Sequence, residues 1–271
     1  GDKVVACIDK PTMQFVNPLL KRKAFIWWNF PVSDYVRDRL LLGAVYGNGT
    51  DIDDDISAFI SNPMEHAEAS KIALFSIADY AWNMDAYKSD ASWRRAVRYL
   101  MPGHAAALQV FASHNSDLGG NEHDFRREES EQIRPALERL LDAYCREGKR
   151  EVAAASAVTE ECERMIASAD LLLASDENPA LIKEISPWLM QFKLLGEYGR
   201  EVLCMLAAQC DGKKTELEKA ASHAKALQVL MKKIDATYNQ NGFQPGVKTG
   251  SCHLKPAFDR LYQEVVQRTG K

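Results

Sequence analysis

The fold of this chain is decided by the stretch Ala24-Phe25-Ile26-Trp27-Trp28, followed directly by Asn29-Phe30-Pro31. Its apolar residues are continuous rather than alternating, which is typical of a parallel strand covered by helices on both faces. Val4-Val5-Ala6-Cys7-Ile8 shows the same pattern, and the residues between them, Lys10 to Lys21, predict a helix. These segments together predict one unit of the strand–helix–strand type.

Two parallel strands do not make a stable sheet by themselves, because each strand edge and face needs a partner. We find no third parallel-strand pattern between residues 40 and 120. The α/β portion is therefore expected to be the tail of a larger fold. The rest of that fold would be absent from this chain or supplied by another one.

Beyond about residue 63, every periodic segment predicts a helix. The segment Ile72 to Trp82 is apolar nearly all round, as expected of a buried helix. Asn178-Pro179 predicts a helix start, and Thr215 with Glu218 predicts a capping box. Three more apolar stripes have helical spacing: Val158, Cys162, Met165, Ile166, Ala169, Leu172 and Leu173; Ile185, Leu189, Phe192, Leu195, Val202 and Leu206; Leu254, Phe258, Leu261 and Val265.

A domain boundary is predicted at the Gly- and Asn-rich stretch from His114 to Asn121. Residues 1–121 would form a small α/β portion with a site at its strand ends. Residues 122–271 would form an all-α bundle of about five antiparallel helices. The predicted fold class is therefore mainly α.

The composition excludes some function classes. The chain has 271 residues, a formal net charge of -4 and no dense cluster of Lys and Arg, so a nucleic-acid partner is not expected. No apolar run approaches the roughly 20 residues that cross a bilayer, so no membrane span is expected. The six cysteines form no C-x-x-C pair and are expected to be buried free thiols. We predict no metal site and no cofactor.

One group of neighbouring side chains has the chemical types that a sugar-binding site needs. Trp27 and Asn29 are two residues apart on the predicted strand and share a face, and Asp34 follows in the next loop. An indole packs against the apolar face of a sugar ring, while an amide and a carboxylate hydrogen-bond its hydroxyls. Each residue also has a structural interpretation: Trp27 as core, Asn29 as a turn residue, and Asp34 as the cap of a helix from Tyr35 to Leu42.

The sequence resembles family 84 of the glycoside hydrolases, a family of N-acetyl-β-glucosaminidases. The segment from Ile26 to Tyr35, with Arg39 to Gly47 after it, looks like the last barrel strand and the following helix of that family. Four more motifs are similar to the family or to its bacterial members: Ser61-Asn62-Pro63-Met64-Glu65, His114 to Gly119, Arg126 to Ser130 and Asn241 to Thr249. The likeness extends over essentially the whole chain.

The resemblance implies the last strands and helices of a (β/α)8 barrel, followed by an all-α helical bundle. Trp27 would line the floor under the sugar, Asn29, Asp34 and Asn62 would bind its hydroxyls, and Val4 would border the N-acetyl pocket. The implied partners are an N-acetylglucosamine-containing glycoconjugate and the missing N-terminal half of the barrel. Bacterial members also imply an exported or periplasmic location.

Catalysis in this family is substrate-assisted and retaining: the acetamido oxygen of the substrate attacks the anomeric carbon, and two adjacent aspartates assist. The resemblance places that pair on an earlier strand, outside this sequence, so no catalytic residue is expected here. The run from Asp51 to Asp55 is interpreted as a solvated or helix-capping loop between two helices, without the spacing of a calcium loop. Two other hypotheses remain open: a helical protein-interaction module and a carbohydrate-binding fragment.

Overall fold

A computed structural model describes residues 7–117 and 127–269. The chain divides into two compact units. The first contains Gly1–Glu128 and Asp176–Glu184, and the second contains Glu129–Ser175 and Ile185–Lys271. The predicted boundary between residues 121 and 122, and residues Val4 to Ala6 of the first predicted strand, lie outside the described residues.

The first unit contains two strands and four whole helices in its described part, together with the start of a fifth helix at Pro179. The strands and whole helices are α1 (Lys10–Leu20), β1 (Ala24–Pro31), β2 (Ile56–Asn62), α2 (Ala67–Trp82), α3 (Ser89–Leu100) and α4 (Ala105–Ser113), with a short 3-10 helix at Asp53–Asp55. The predicted helix from Lys10 is confirmed. It begins there because the Asp9 carboxylate accepts from the Thr12 amide at 2.9 Å, and it ends at Lys21 in the left-handed region.

The prediction that residues 40 to 120 hold no parallel strand is wrong. β2 pairs with β1 in parallel, with Trp27 opposite Ile60 and Trp28 opposite Ser61. Its sequence, Ile56-Ser57-Ala58-Phe59-Ile60-Ser61-Asn62, mixes polar and apolar residues because much of it is accessible to solvent. A rule that seeks continuous apolar runs therefore misses it. β1 is consequently not the last strand of its sheet.

The expected helix from Tyr35 to Leu42 is also not formed. Turns follow β1, and Leu40 to Val45 continue as a buried segment without regular secondary structure. Groups from elsewhere in the unit bond its backbone: Trp93 Nε1 donates to the Leu42 carbonyl and Tyr87 Oη to the Val45 carbonyl, each at 2.8 Å. The Ser76 hydroxyl accepts from the Val45 amide at 2.9 Å. Such partners make burial of a non-helical backbone possible.

The two faces of the sheet differ. Trp28 and Phe30 are buried, and Trp28 lies within ring-contact distance of Tyr80 on α2, at 6.1 Å between centroids. The opposite face carries Phe25 and Trp27 of β1 and Ile60 of β2, which are 58%, 67% and 48% exposed. We call these three residues the open sheet face.

The second unit contains helices joined by loops in its described part, with no strand among those residues. Its helices are α5 (Arg134–Glu147), α6 (Val152–Leu173), α7 (Pro179–Cys210, whose first residues belong to the first unit), α8 (Lys214–Thr237) and α9 (Leu254–Thr269). The predicted stripes on α7 and α9 are buried throughout, and that on α6 is buried except for Ile166 and Leu173, which are partly exposed. Asn178 caps α7, because its Oδ1 accepts from the Leu181 amide at 3.2 Å.

Two details of helix capping in the second unit were not predicted. α8 begins at Lys214 with Lys213 as its cap and no side-chain capping bond, so the predicted box of Thr215 and Glu218 is wrong. At α9, the buried Glu129 carboxylate accepts from the amides of Cys252 and His253 at 3.0–3.1 Å. A carboxylate at a helix start satisfies free amides and matches the helix dipole. Across the described ranges, no helix is long and apolar enough to cross a membrane.

Candidate functional site

The candidate site lies where the two parallel strands end. Asn29 is near the carboxyl end of β1, and Asn62 is the last residue of β2. Asn62 Nδ2 donates to Asn29 Oδ1 at 3.3 Å, and Trp27 Nε1 donates to the same oxygen at 3.0 Å. The predicted site residues Trp27, Asn29 and Asn62 are therefore joined through one amide oxygen. We call these three residues the strand-end cluster.

The two neighbouring tryptophans have different environments. Trp28 is 2% exposed and stacks with Phe30 at 5.3 Å between centroids, whereas Trp27 is 67% exposed. The core-packing interpretation therefore applies to Trp28 and is wrong for Trp27. The Trp27 hydrogen bond to Asn29 ties the indole to its strand while leaving much of its surface accessible. Such an aromatic surface is suited to stacking against an apolar ligand face.

Asp34 is exposed in the turn after β1. Its backbone carbonyl accepts from Arg37 Nε at 3.2 Å. It does not cap a helix from Tyr35 to Leu42, since that segment is not helical. Within the described ranges, no hydrogen bond joins Asp34 to the strand-end cluster. Val4, the remaining predicted site residue, lies outside the described residues.

The acidic run from Asp51 to Asp55 lies at the other end of the strands. It directly precedes β2, partly as a 3-10 helix, and not between two helices as we expected. Because β1 and β2 are parallel, this run and Asn62 lie at opposite ends of β2. Lys10 Nζ is 3.6 Å from Asp55, and Lys23 Nζ is 4.0 Å from Asp54. These carboxylates are therefore partners of surface lysines, remote in the strand direction from the strand-end cluster.

The metal-binding and nucleophilic side chains are dispersed. In residues 7–117 and 127–269, no group of three or more His, Cys, Asp or Glu is arranged to hold a metal ion. None of the six cysteines, all of which lie in the described ranges, forms a disulfide, and only Cys162 is buried. The expectation of buried thiols is therefore wrong for the other five, of which Cys204 and Cys210 are exposed. Burial raises the pKa of Cys162, which keeps it a neutral thiol rather than a nucleophile.

Two contacts that connect the loops around the site were not predicted from the sequence. The buried Met64 Sδ accepts from the Leu41 amide at 3.2 Å, and Arg37 Nη1 is 3.6 Å from Glu65 Oε2. Both contacts join the chain after β1 to the chain after β2. Sequence spacing gives no signal for either, because the two loops meet only once the strands have paired.

Comparisons with known proteins agree with this architecture. Residues 1–113 match the family model described as beta-N-acetylglucosaminidase, and residues 129–262 match the model described as the post-catalytic domain of bacterial GH84. Protein O-GlcNAcase from Rattus norvegicus, and likewise that from Mus musculus, is 32% identical over 92 residues, or 33% of this chain and 10% of the relative.

Solved structures give the same result for the fold. The structure described as CpGH84D has a TM-score of 0.83 at 25% identity, over 98% of this chain and 44% of the other. The structure described as CpGH84B has a TM-score of 0.83 at 24% identity, over 94% of this chain and 42% of the other. A mutant O-GlcNAc hydrolase from Thermobaculum terrenum has a TM-score of 0.75 at 21% identity, over 99% of this chain and 56% of the other. This chain thus spans about half or less of each, and it belongs to glycoside hydrolase family 84.

Proposed function

We propose that this chain is the C-terminal portion of a β-N-acetylglucosaminidase that hydrolyses terminal, O-linked N-acetylglucosamine. In this proposal the chain supplies wall residues of the sugar site and lacks the catalytic aspartate pair. The observation that carries the proposal is the strand-end cluster, in which an exposed indole and two amides are hydrogen-bonded together. Its position at the carboxyl ends of parallel strands is where barrel enzymes build their active sites.

In the proposed mechanism, residues of this chain bind the sugar, and the aspartate pair outside it transfers the proton. Trp27 would support the apolar face of the ring, and the amides of Asn29 and Asn62 would bond hydroxyl groups. Asp34 would add a charged acceptor, which bonds a hydroxyl more strongly than a neutral one. Val4 would border the acetamido group. In a substrate-assisted reaction the acetamido oxygen must reach the anomeric carbon, so residues that fix the ring contribute by orientation.

The first experiment tests whether the chain acts alone. We expect the 271-residue chain to release no phenol from an aryl N-acetyl-β-glucosaminide, because the general acid would be missing. The same chain joined to the part of the barrel that carries the aspartate pair should hydrolyse it. Robust turnover by the 271-residue chain would contradict the assignment of the acid to another part of the polypeptide.

The second experiment tests the sugar wall in the active polypeptide. Asp34→Ala should lower kcat/KM by a factor equivalent to about 2–4 kcal/mol, through lost contacts to hydroxyls in the transition state. Asp51→Ala is the matched control, because it removes a carboxylate at the opposite end of the strands. An unchanged kcat/KM for Asp34→Ala would contradict the assignment of Asp34 to the sugar site.

The indole is tested in the same way. Trp27→Ala should raise KM, because the ring would lose its stacking surface. Trp82→Ala is the matched control, since Trp82 is also in the first unit, is 93% exposed, and lies on α2 rather than on the sheet. Equal effects of the two substitutions on KM would contradict a binding role for Trp27.

A further inference from the structure

The turn that carries Asp34 is held by a small set of hydrogen bonds. The Val36 amide donates to the Ser33 carbonyl at 3.0 Å, and the Arg39 amide donates to the Val36 carbonyl at 3.1 Å. Arg37 adds a side-chain bond, because its Nε donates to the Asp34 carbonyl at 3.2 Å. The guanidinium of Arg37 is therefore attached to the backbone of Asp34 itself.

The other end of the same guanidinium contacts the loop after β2. Arg37 Nη1 is 3.6 Å from Glu65 Oε2, and Glu65 comes shortly after Asn62 in the segment Asn62-Pro63-Met64-Glu65. Arg37 thus bridges the backbone of Asp34 to the loop that begins at Asn62. The planar guanidinium can bond both groups at once in a fixed geometry, which a lysine ammonium cannot reproduce.

Stability alone does not account for this bridge. The Arg37 and Glu65 side chains are 37% and 45% exposed, and ion pairs with such access to water contribute little to folding stability. The two loops are also joined independently by the buried Met64 and the Leu41 amide. What the Arg37 bridge adds is local: it fixes the backbone at Asp34 relative to the loop after Asn62.

We propose that Arg37 and Glu65 are a positioning pair that holds Asp34 in place for contact with the sugar. This inference rests on the proposed function, because it requires Asp34 to bind substrate. Neither residue is proposed to touch the substrate or to transfer a proton. The pair acts through Asp34, and a loop residue that is held rigidly loses less freedom when the ligand binds.

A mutant cycle in the active polypeptide tests the proposal. Arg37→Ala should lower kcat/KM about tenfold, mostly through KM, because a misplaced contact group weakens ring binding. Glu65→Gln should act in the same direction. In the Asp34→Ala background, Arg37→Ala should have no further effect, since the group that it positions is gone. An equal tenfold loss in that background would overturn the proposal.

Two controls separate positioning from folding. Lys71→Ala removes one partner of an exposed ion pair in the same unit, Lys71 with Glu68 at 2.5 Å, and should leave kcat/KM unchanged. The double variant Arg37→Glu with Glu65→Arg can restore an ion pair but not the bond to the Asp34 carbonyl, since a carboxylate only accepts, so its kcat/KM should stay as low as that of Arg37→Ala if the bridge to Asp34 matters. Thermal unfolding of each variant should remain near that of the parent. Loss of activity in proportion to loss of melting temperature would contradict a positioning role.

The outcomes also separate this proposal from the proposed function. If Asp34→Ala lowers kcat/KM and Arg37→Ala does not, only the positioning pair is overturned. If Asp34→Ala leaves kcat/KM unchanged, the proposed contact between Asp34 and the sugar is wrong. The proposal that Arg37 and Glu65 position Asp34 is then wrong as well.

Discussion

The two units bury their apolar residues in different ways. In the second unit the helices α6, α7 and α9 bury all or most of each stripe, at positions such as Cys162, Leu195 and Phe258. In the first unit the sheet buries one side and leaves the open sheet face of Phe25, Trp27 and Ile60 accessible. The candidate site includes Trp27 and therefore lies on the accessible sheet face of the first unit. Binding residues need access, and stability is provided by the elements beneath them.

The backbone of the two units shows the same difference. Helices satisfy their own amides and carbonyls, so the second unit depends mainly on side-chain packing. The first unit instead buries the segment Leu40 to Val45, whose backbone depends on Ser76, Tyr87 and Trp93. Substitutions should therefore have their largest effects through packing in the second unit, and weaker effects on stability at the open sheet face.

The largest expected effect is that of Phe258→Ala in α9. Phe258 is 0% exposed, and removing such a ring costs about 3–5 kcal/mol through lost burial and the cavity that remains. Urea denaturation followed by far-ultraviolet circular dichroism measures the change. Phe243→Ala is the matched control in the same unit, because Phe243 is 65% exposed. A similar loss for the two variants would contradict the assignment of Phe258 to the core.

The next effect comes from a close approach of helices at Gly199. A Cβ added there would lie 2.5 Å from the Phe258 ring and 2.8 Å from Cys162 Sγ. Gly199→Ala should therefore destabilise by about 1–3 kcal/mol through overpacking, although alanine favours a helix by up to about 1 kcal/mol. The control is Gly242→Ala, where a Cβ would meet nothing within 4 Å. A stabilised Gly199→Ala variant would show that α9 can shift.

How far the sequence predicts the fold differs between the units. Apolar residues at helical spacing identified the buried stripes of α6, α7 and α9, because a helix that packs on one face repeats that spacing along its length. The start of α8 was misplaced, since the structure uses no side-chain cap there. Helix existence follows from a long repeated pattern, whereas a helix end depends on a few local bonds.

The first unit was harder to predict for physical reasons. β2 is a half-exposed parallel strand, so its residues lack the continuous apolar run on which the prediction relied. Leu40 to Leu42 were expected to be helical, but their bonds come from residues far along the chain, such as Trp93. Trp27 and Asn29 were predicted from their spacing, and their link to Asn62 rested on the family resemblance. The Arg37 and Glu65 contact depends on strand pairing, which no local pattern encodes.

A smaller effect on stability is expected at the open sheet face. Phe25→Ser should change the free energy of unfolding by about 0.5 kcal/mol or less, because Phe25 is 58% exposed. The variant should also bind less of the dye ANS, which reports exposed apolar surface. Phe30→Ser on the same strand is the matched control: Phe30 is 0% exposed, and its loss should be severely destabilising. Comparable destabilisation by both would show that the face is covered.

The smallest expected effect on folding stability is its pH dependence through His66, which directly precedes α2 and follows Glu65 in the sequence. Burial lowers the pKa of His66 below its ordinary value of 6.5, and this outweighs the opposing influence of Glu184 and Glu65. The unfolded chain then binds a proton more readily than the folded one. Stability from this group is present above pH 6.5 and is lost as the pH falls through the folded pKa.

Nuclear magnetic resonance of the imidazole C–H signals measures this prediction directly. The His66 signal should titrate with a midpoint below 6.5, and His66→Gln should remove it from the spectrum. The same variant should lose less stability than the parent between neutral and mildly acidic pH, since it has no imidazole to protonate. A midpoint above 6.5 would mean that the two glutamates, rather than burial, govern His66.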